Sequence, residues 1–159
     1  MTATALILEN DRYMRRLMCN LLKERGIGST PTQTVDEALR AAEGQQFDVA
    51  LVDIGLDEGS GLDLVRHLRS DTTSRNRAVP ILIVSGNNHR GAILESRDCG
   101  VDAYLVKPLS ASALMAKVDH VMTHRRAIVS SPGYFGPDRR RERADPYSGP
   151  ERRSVAYYL

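Results

Sequence analysis

The chain of 159 residues has no tryptophan, two phenylalanines and two cysteines. Cys19 and Cys99 lie in apolar-patterned segments with no CxxC spacing, which argues against a disulfide framework and for a reducing cytoplasm. No apolar run approaches the ~18 residues of a membrane helix, so no membrane insertion is expected. Met1–Glu9 lacks the basic stretch that precedes the apolar part of a secretory signal. There is no phosphate-loop lysine motif and no GxGxxG, and Gly59-Ser60-Gly61 lacks the strand–elbow–helix setting of a hydrolase nucleophile. A binding or signalling protein, not an enzyme, is the expectation. At roughly 100–200 residues per domain the length allows one domain and an appendage.

Charge of one sign is also scarce, with a net +2, but the balance is uneven. Residues 1–124 carry 14 Lys and Arg against 16 acids, whereas 125–159 carry eight Arg, no Lys and four acids. That second segment holds five of the eight aromatics and four of the seven prolines. Two parts with different tasks are implied, at 3–124 and 125–159.

In the first part, apolar runs alternate with helical periodicity. Thr4–Leu8, Ile27–Thr34, Phe47–Val52, Pro80–Val84 and Ala103–Val106 read as strands. Met14 to Arg25, Val35–Ala42, Leu62–Leu68, Ala92–Cys99 and Ala111–His124 read as helices. Five βα units predict an α/β fold with a parallel sheet covered on both faces. Ligands of such open sheets bind at the carboxyl ends of the strands. There the sequence places Glu9 and Asn10, Asp53, Ser85 and Lys107. A carboxylate at Asp53 can accept a phosphoryl group, with Lys107 as counter-charge and Ser85 as a hydroxyl able to turn toward the phosphate. Mg²⁺, which binds one or two carboxylates and phosphate oxygens, would suit the acids beside it. His120 and His124, four apart near a helix end, read as partial cations and not as a metal pair.

These residues resemble the receiver domain of response regulators. The matching positions are Asp53 as phosphoacceptor, Ser85-Gly86 as hydroxyl switch, Lys107-Pro108, and Tyr104 as aromatic switch. The resemblance implies a flavodoxin-like (CheY-like) five-stranded parallel sheet, and Mg²⁺ held by Glu9, Asp53 and Gly55. Two positions depart from the family. Its pair of adjacent acids after the first strand is Glu9-Asn10 here, and its usual proline after the acceptor is Asp57. A neutral Asn and a longer Glu should weaken metal binding.

From 125 onward the periodicity lapses, and the composition predicts an irregular tail that is disordered without ligand. Within it Tyr134-Phe135-Gly136-Pro137-Asp138-Arg139-Arg140 recurs thirteen residues later as Tyr147-Ser148-Gly149-Pro150-Glu151-Arg152-Arg153. Arg forks match phosphate and the N7/O6 edge of guanine, acids accept from its N–H edge, and aromatic planes stack on bases. A two-fold guanine dinucleotide such as cyclic di-GMP would account for the repeat. Plain duplex DNA would be repelled by the interleaved acids, so no specific DNA binding is expected.

A receiver with this tail resembles the CheY-like cyclic-di-GMP effectors called Cle proteins. That resemblance implies ligand contacts at Tyr134, Asp138, Arg139, Arg140, Tyr147, Glu151, Arg152 and Arg153. It also implies a receiver directed at the flagellar motor switch or attachment machinery. The sequence thus predicts a cyclic-di-GMP-binding adaptor. The alternative is a conventional response regulator phosphorylated on Asp53 by a histidine kinase.

Overall fold

The computed structural model describes residues 2–140 and the backbone of 154–157. The first part runs β1 (Thr4–Leu8), α1 (Arg12–Glu24), β2 (Gly28–Thr32), α2 (Val35–Gly44), β3 (Val49–Val52), α3 (Gly61–Ser70), β4 (Ile81–Ser85), α4 (Arg90–Asp98), β5 (Ala103–Val106) and α5 (Ala111–Thr123). The five strands are parallel in the order β2-β1-β3-β4-β5. The five βα units predicted from the sequence are therefore present, with ends shifted by a few residues.

Alternation along the strands divides the core in two. Leu6, Leu8, Ala50, Val52, Ile81 and Ile83 face α2 and α3, where Leu64, Val65 and Leu68 meet them. Ala5, Ile7, Val49, Leu51, Leu82 and Val84 face α1 and α5, against Met18, Leu22, Leu114 and Val118. The central strands β1, β3 and β4 are apolar apart from Thr4 at the start of β1 and Ser85 at the end of β4, because both their faces are covered. Met18 and Met115 are buried, and Met14 packs half-buried against the same cluster.

Local chemistry fixes the helix starts. Asp11 accepts the Met14 N–H at 2.7 Å, and Ser60 and Asp63 form a reciprocal capping box. Gly61 is dictated by contact: a Cβ there would overlap the Asp53 carbonyl oxygen and stand 2.7 Å from Val52 Cγ1. Glycine at this position lets α3 begin hard against the end of β3, next to Asp53.

The expectation of an irregular segment from 125 is corrected over its first half. Ile128–Ser131 (β6) and Tyr134–Pro137 (β7) form an antiparallel hairpin, and Ser154–Tyr157 (β8) pairs with the other edge of β6. Ile128 and Val129 are buried. Pro132-Gly133 makes the two-residue turn, with Gly133 at φ 78°, the proline-then-glycine pattern of a type II turn. An apolar pair followed by a Pro-Gly turn is a strand signal, which the Arg-rich average composition obscures.

The hairpin docks at the amino ends of β4 and β5. A Cβ on Gly100 would lie 2.8 Å from the Phe135 carbonyl oxygen, and one on Gly136 would lie 2.8 Å from Gly100 Cα. Two glycines thus let two backbones touch. Beneath them the buried Arg69 guanidinium donates to the carbonyls of Gly100 (3.0 Å), Arg77 (2.5 Å) and Val79 (2.8 Å) and lies 3.5 Å from Asp102.

Candidate functional site

At the carboxyl ends of the strands, three of the residues singled out by the sequence converge. Lys107 Nζ, following β5, donates to Glu9 Oε2 at 2.6 Å and to Asp53 Oδ2 at 2.7 Å. Glu9 follows β1 and Asp53 follows β3, so three strand ends separated by as many as 98 residues meet at one ammonium. Their side chains are 1% and 7% exposed for Glu9 and Asp53, and 17% for Lys107. The remaining carboxylate oxygens are held by backbone: Asp11 N–H donates to Glu9 Oε1 at 3.0 Å, and Gly55 N–H to Asp53 Oδ1 at 2.8 Å. Arg15 clamps the loop by donating to the carbonyls of Glu9 and Asn10. The Lys107–Pro108 peptide is cis.

The electrostatics follow from burial. Removal from water pushes the Glu9 carboxyl above its ordinary value, although Lys107 and the Asp11 N–H act against the rise. Burial also acts to lower Lys107, but its contacts with Asp53 and Glu9 outweigh this and hold the ammonium above its usual value. Lys107 is therefore charged at neutral pH. It neutralises one of two carboxylates that would otherwise repel each other.

The switch positions lie alongside. Ser85 is buried at the end of β4, and its Oγ accepts the Asn87 N–H at 3.3 Å. The Tyr104 hydroxyl donates to the Asn87 carbonyl at 2.5 Å. Burial raises the Tyr104 phenol above its ordinary value, opposed by the Ser85 hydroxyl. Asn87, which the sequence reading passed over, joins both switch side chains to the start of α4. Its only sequence signal was its place two residues after Ser85.

For Mg²⁺ the donor set fits in kind. Two buried carboxylates converge on one cation, which meets the requirement of one or two protein carboxylates completed by water and phosphate oxygens. Among the described residues no cluster of three or more His, Cys, Asp or Glu is present. Asn10 brings no charge to the site, and Asp57 is exposed. His120 and His124 stack on each other, with ring centroids 4.9 Å apart.

The first copy of the repeat lies far from this crevice, on β7 and just after it. The Tyr134 hydroxyl donates to the Pro137 carbonyl at 2.7 Å, and the Arg139 guanidinium lies 4.2 Å from the Tyr134 ring centroid. Arg139 Nη1 also contacts Asp98 Oδ1 at 2.6 Å, at the end of α4. Asp138 Oδ1 accepts the Arg140 N–H at 3.0 Å. Tyr147, Glu151, Arg152 and Arg153 lie outside the described residues.

Comparison with known proteins agrees with the geometry. The response regulator receiver domain family matches residues 5–119. The chain is 33% identical over 119 residues to the chemotaxis protein CheY of Pseudomonas aeruginosa, covering 73% of this chain and 93% of that protein. It is 31% identical over 119 residues to the chemotaxis protein CheY-3 of Vibrio cholerae, covering 73% and 88%. The fold is shared with a CheY-like receiver domain protein from Methanospirillum hungatei (TM-score 0.72, 22% identity, covering 78% of this chain and 96% of that one). It is also shared with the chemotaxis protein CheY4 of Vibrio cholerae (TM-score 0.71, 22% identity, covering 76% and 99%). The family match ends before the hairpin. Among the described residues no helix is long and apolar enough to cross a membrane.

Proposed function

The chain belongs to the response regulator receiver domain family, and on that premise we propose that it is a signalling adaptor, not an enzyme, switched by phosphorylation of Asp53. The observation that carries this reading is the buried Asp53 carboxylate held 2.7 Å from Lys107 at the strand ends. An Asp53 oxygen attacks the phosphorus of a phosphohistidine on a histidine kinase. The P–N bond breaks, an acyl phosphate forms, and the imidazole leaves and takes up a proton. Lys107 then pairs with the added negative charge, and Ser85 offers its hydroxyl to a phosphate oxygen. Glu9 and Asp53 would hold Mg²⁺, which neutralises charge on the transferring phosphoryl oxygens when bound. Intact-mass measurement after incubation with acetyl phosphate and Mg²⁺ tests this. One added phosphoryl group is expected, absent in Asp53→Asn; no uptake by the wild type removes the reading.

A second reading is favoured by the Arg139 guanidinium stacked over Tyr134 beside a carboxylate. Here cyclic di-GMP is gripped by the two repeats, through Tyr134, Asp138, Arg139 and Arg140 in one and Tyr147, Glu151, Arg152 and Arg153 in the other. The receiver then engages a protein partner such as the flagellar motor switch or surface-attachment machinery. Calorimetric titration with cyclic di-GMP, repeated with Arg139→Ala and Arg152→Ala, checks it. Binding that never occurs, or that survives both substitutions, rules it out.

A further inference from the structure

Between the hairpin and the receiver lies a groove of about 510 Å³, whose lining includes Arg77, Asp98, Cys99, Ser70, Tyr134 and Phe135. Its size is that of a small-molecule site, for which roughly 300–1,000 Å³ is usual. The receiver supplies one wall, and the first repeat supplies the other. Resting on the reading of the C-terminal segment as a cyclic-di-GMP site, we propose that this groove is its receiver-side subsite, where Arg77 and Asp98 take one guanylate unit of the dinucleotide.

The groove holds the same three chemical elements as the repeat. Arg77 lays its guanidinium over the Phe135 ring, 3.7 Å from the centroid, and gives only Nε to the Arg69 carbonyl at 3.0 Å. Among the described residues its Nη groups have no protein acceptor, so a half-buried, pre-oriented fork faces the groove with donors to give. Asp98 receives Arg97 and Arg139 through Oδ1, while Oδ2 has no side-chain donor among the described residues. A carboxylate oxygen in that state accepts an N–H from the Watson–Crick edge of guanine and repels bare polyphosphate. The neighbouring Tyr134 and Phe135 rings supply stacking planes. The ligand therefore contacts receiver and first repeat together.

The experiment uses the full chain and cyclic di-GMP as probe. Affinity is measured for the wild type and for Arg77→Gln, Asp98→Asn and Ser70→Trp, the last of which fills the groove from an exposed position. The rate of alkylation of Cys99 is followed with and without ligand, with Cys19 on α1 as internal reference. About tenfold or greater weakening is expected for Arg77→Gln and Asp98→Asn, the loss of one good guanine contact. Ser70→Trp should weaken binding similarly, and ligand should slow Cys99 alkylation but not Cys19. If Arg77→Gln or Asp98→Asn unfolds, Ser70→Trp and the Cys99 rate decide. The groove is overturned while the tail site stands if the wild type binds, Arg139→Ala does not, and Ser70→Trp and Cys99 are unaffected. Equal binding of cyclic di-AMP overturns the guanine assignment. No binding by the wild type removes the tail reading and the groove with it.

Discussion

Replacing Arg69 with methionine, which keeps the length and apolar stem but removes the charge, tests how the two ends of the chain are joined. The Arg69 side chain is 4% exposed and that of Asp102 is 12%. Burial pulls the guanidinium down to about 10, with Asp102 acting against the fall, so it remains charged at neutral pH. Three carbonyls depend on it, those of Gly100, Arg77 and Val79. The substitution strands those acceptors and leaves Asp102 with one hydrogen-bond donor among the described residues, the Ile81 N–H at 2.8 Å, and with the charges of Arg125 and Arg126. Removing one partner of a buried pair costs about 3–5 kcal/mol. For a chain of this size that is a fall in Tm of roughly 6–20 °C.

The pH dependence of the loss is also determined. Burial already holds the Asp102 carboxyl above its ordinary 3.8, with Arg69 restraining the rise. Without Arg69 the rise is larger, and between 3.8 and the raised value the native state binds more protons than the unfolded state. Stability therefore falls as pH rises through that window, and the penalty is complete above it. Urea unfolding of wild type, Arg69→Met and Arg69→Met/Asp102→Asn at about pH 8 and about pH 5 measures this. The deficit should shrink at the lower pH and be partly relieved by the second substitution. A deficit under about 1 kcal/mol, or one indifferent to both pH and Asp102→Asn, would refute the reasoning.

Gly61→Ala should lower stability by about 3 kcal/mol or more by thermal unfolding, because its methyl would overlap the Asp53 carbonyl, and it should impair phosphoryl uptake as well. Ile128→Asp places a charge at a buried position and should release the hairpin, seen as faster proteolysis around residues 125–127 with the receiver core intact. Arg139→Ala removes an ion pair whose side chains are 40% and 54% exposed; unfolding measurements should show less than about 1 kcal/mol lost, while calorimetry shows cyclic-di-GMP binding gone.

The parts legible in the sequence were those set by repetition or by strand ends. Apolar runs located β1, β3 and β4 because burial on both faces leaves few polar positions to blur them, whereas the edge strand β2, GSTPT, has no aliphatic residue and shows only through its place between two helices. Asp53, Lys107 and Glu9 were found because each directly follows such a run. Residues acting through the backbone of distant loops were not legible. Asn76 holds Phe47 N–H and the carbonyls of Ala42 and Gln45, yet it sits in an aperiodic stretch between α3 and β4. Arg69 lies on α3 next to other polar residues, and only the tertiary fold shows that it points inward. The hairpin was missed because eight arginines outweighed four branched aliphatics in the average over 125–159, although the Pro-Gly turn marked it.

The fourth helix has an unusual mechanical position. Asn87, three residues before Arg90, touches Ser85 and Tyr104, while Asp98 and Gly100 at the other end meet Arg139 and the hairpin backbone. Ser96 is the one buried residue along its nine, whereas α3 buries six. A short rod of about 13 Å, tied to α3 by the Arg66–Glu95 ion pair along its shaft and in contact with other elements at each tip, thus spans the distance between the hairpin and the two switch side chains.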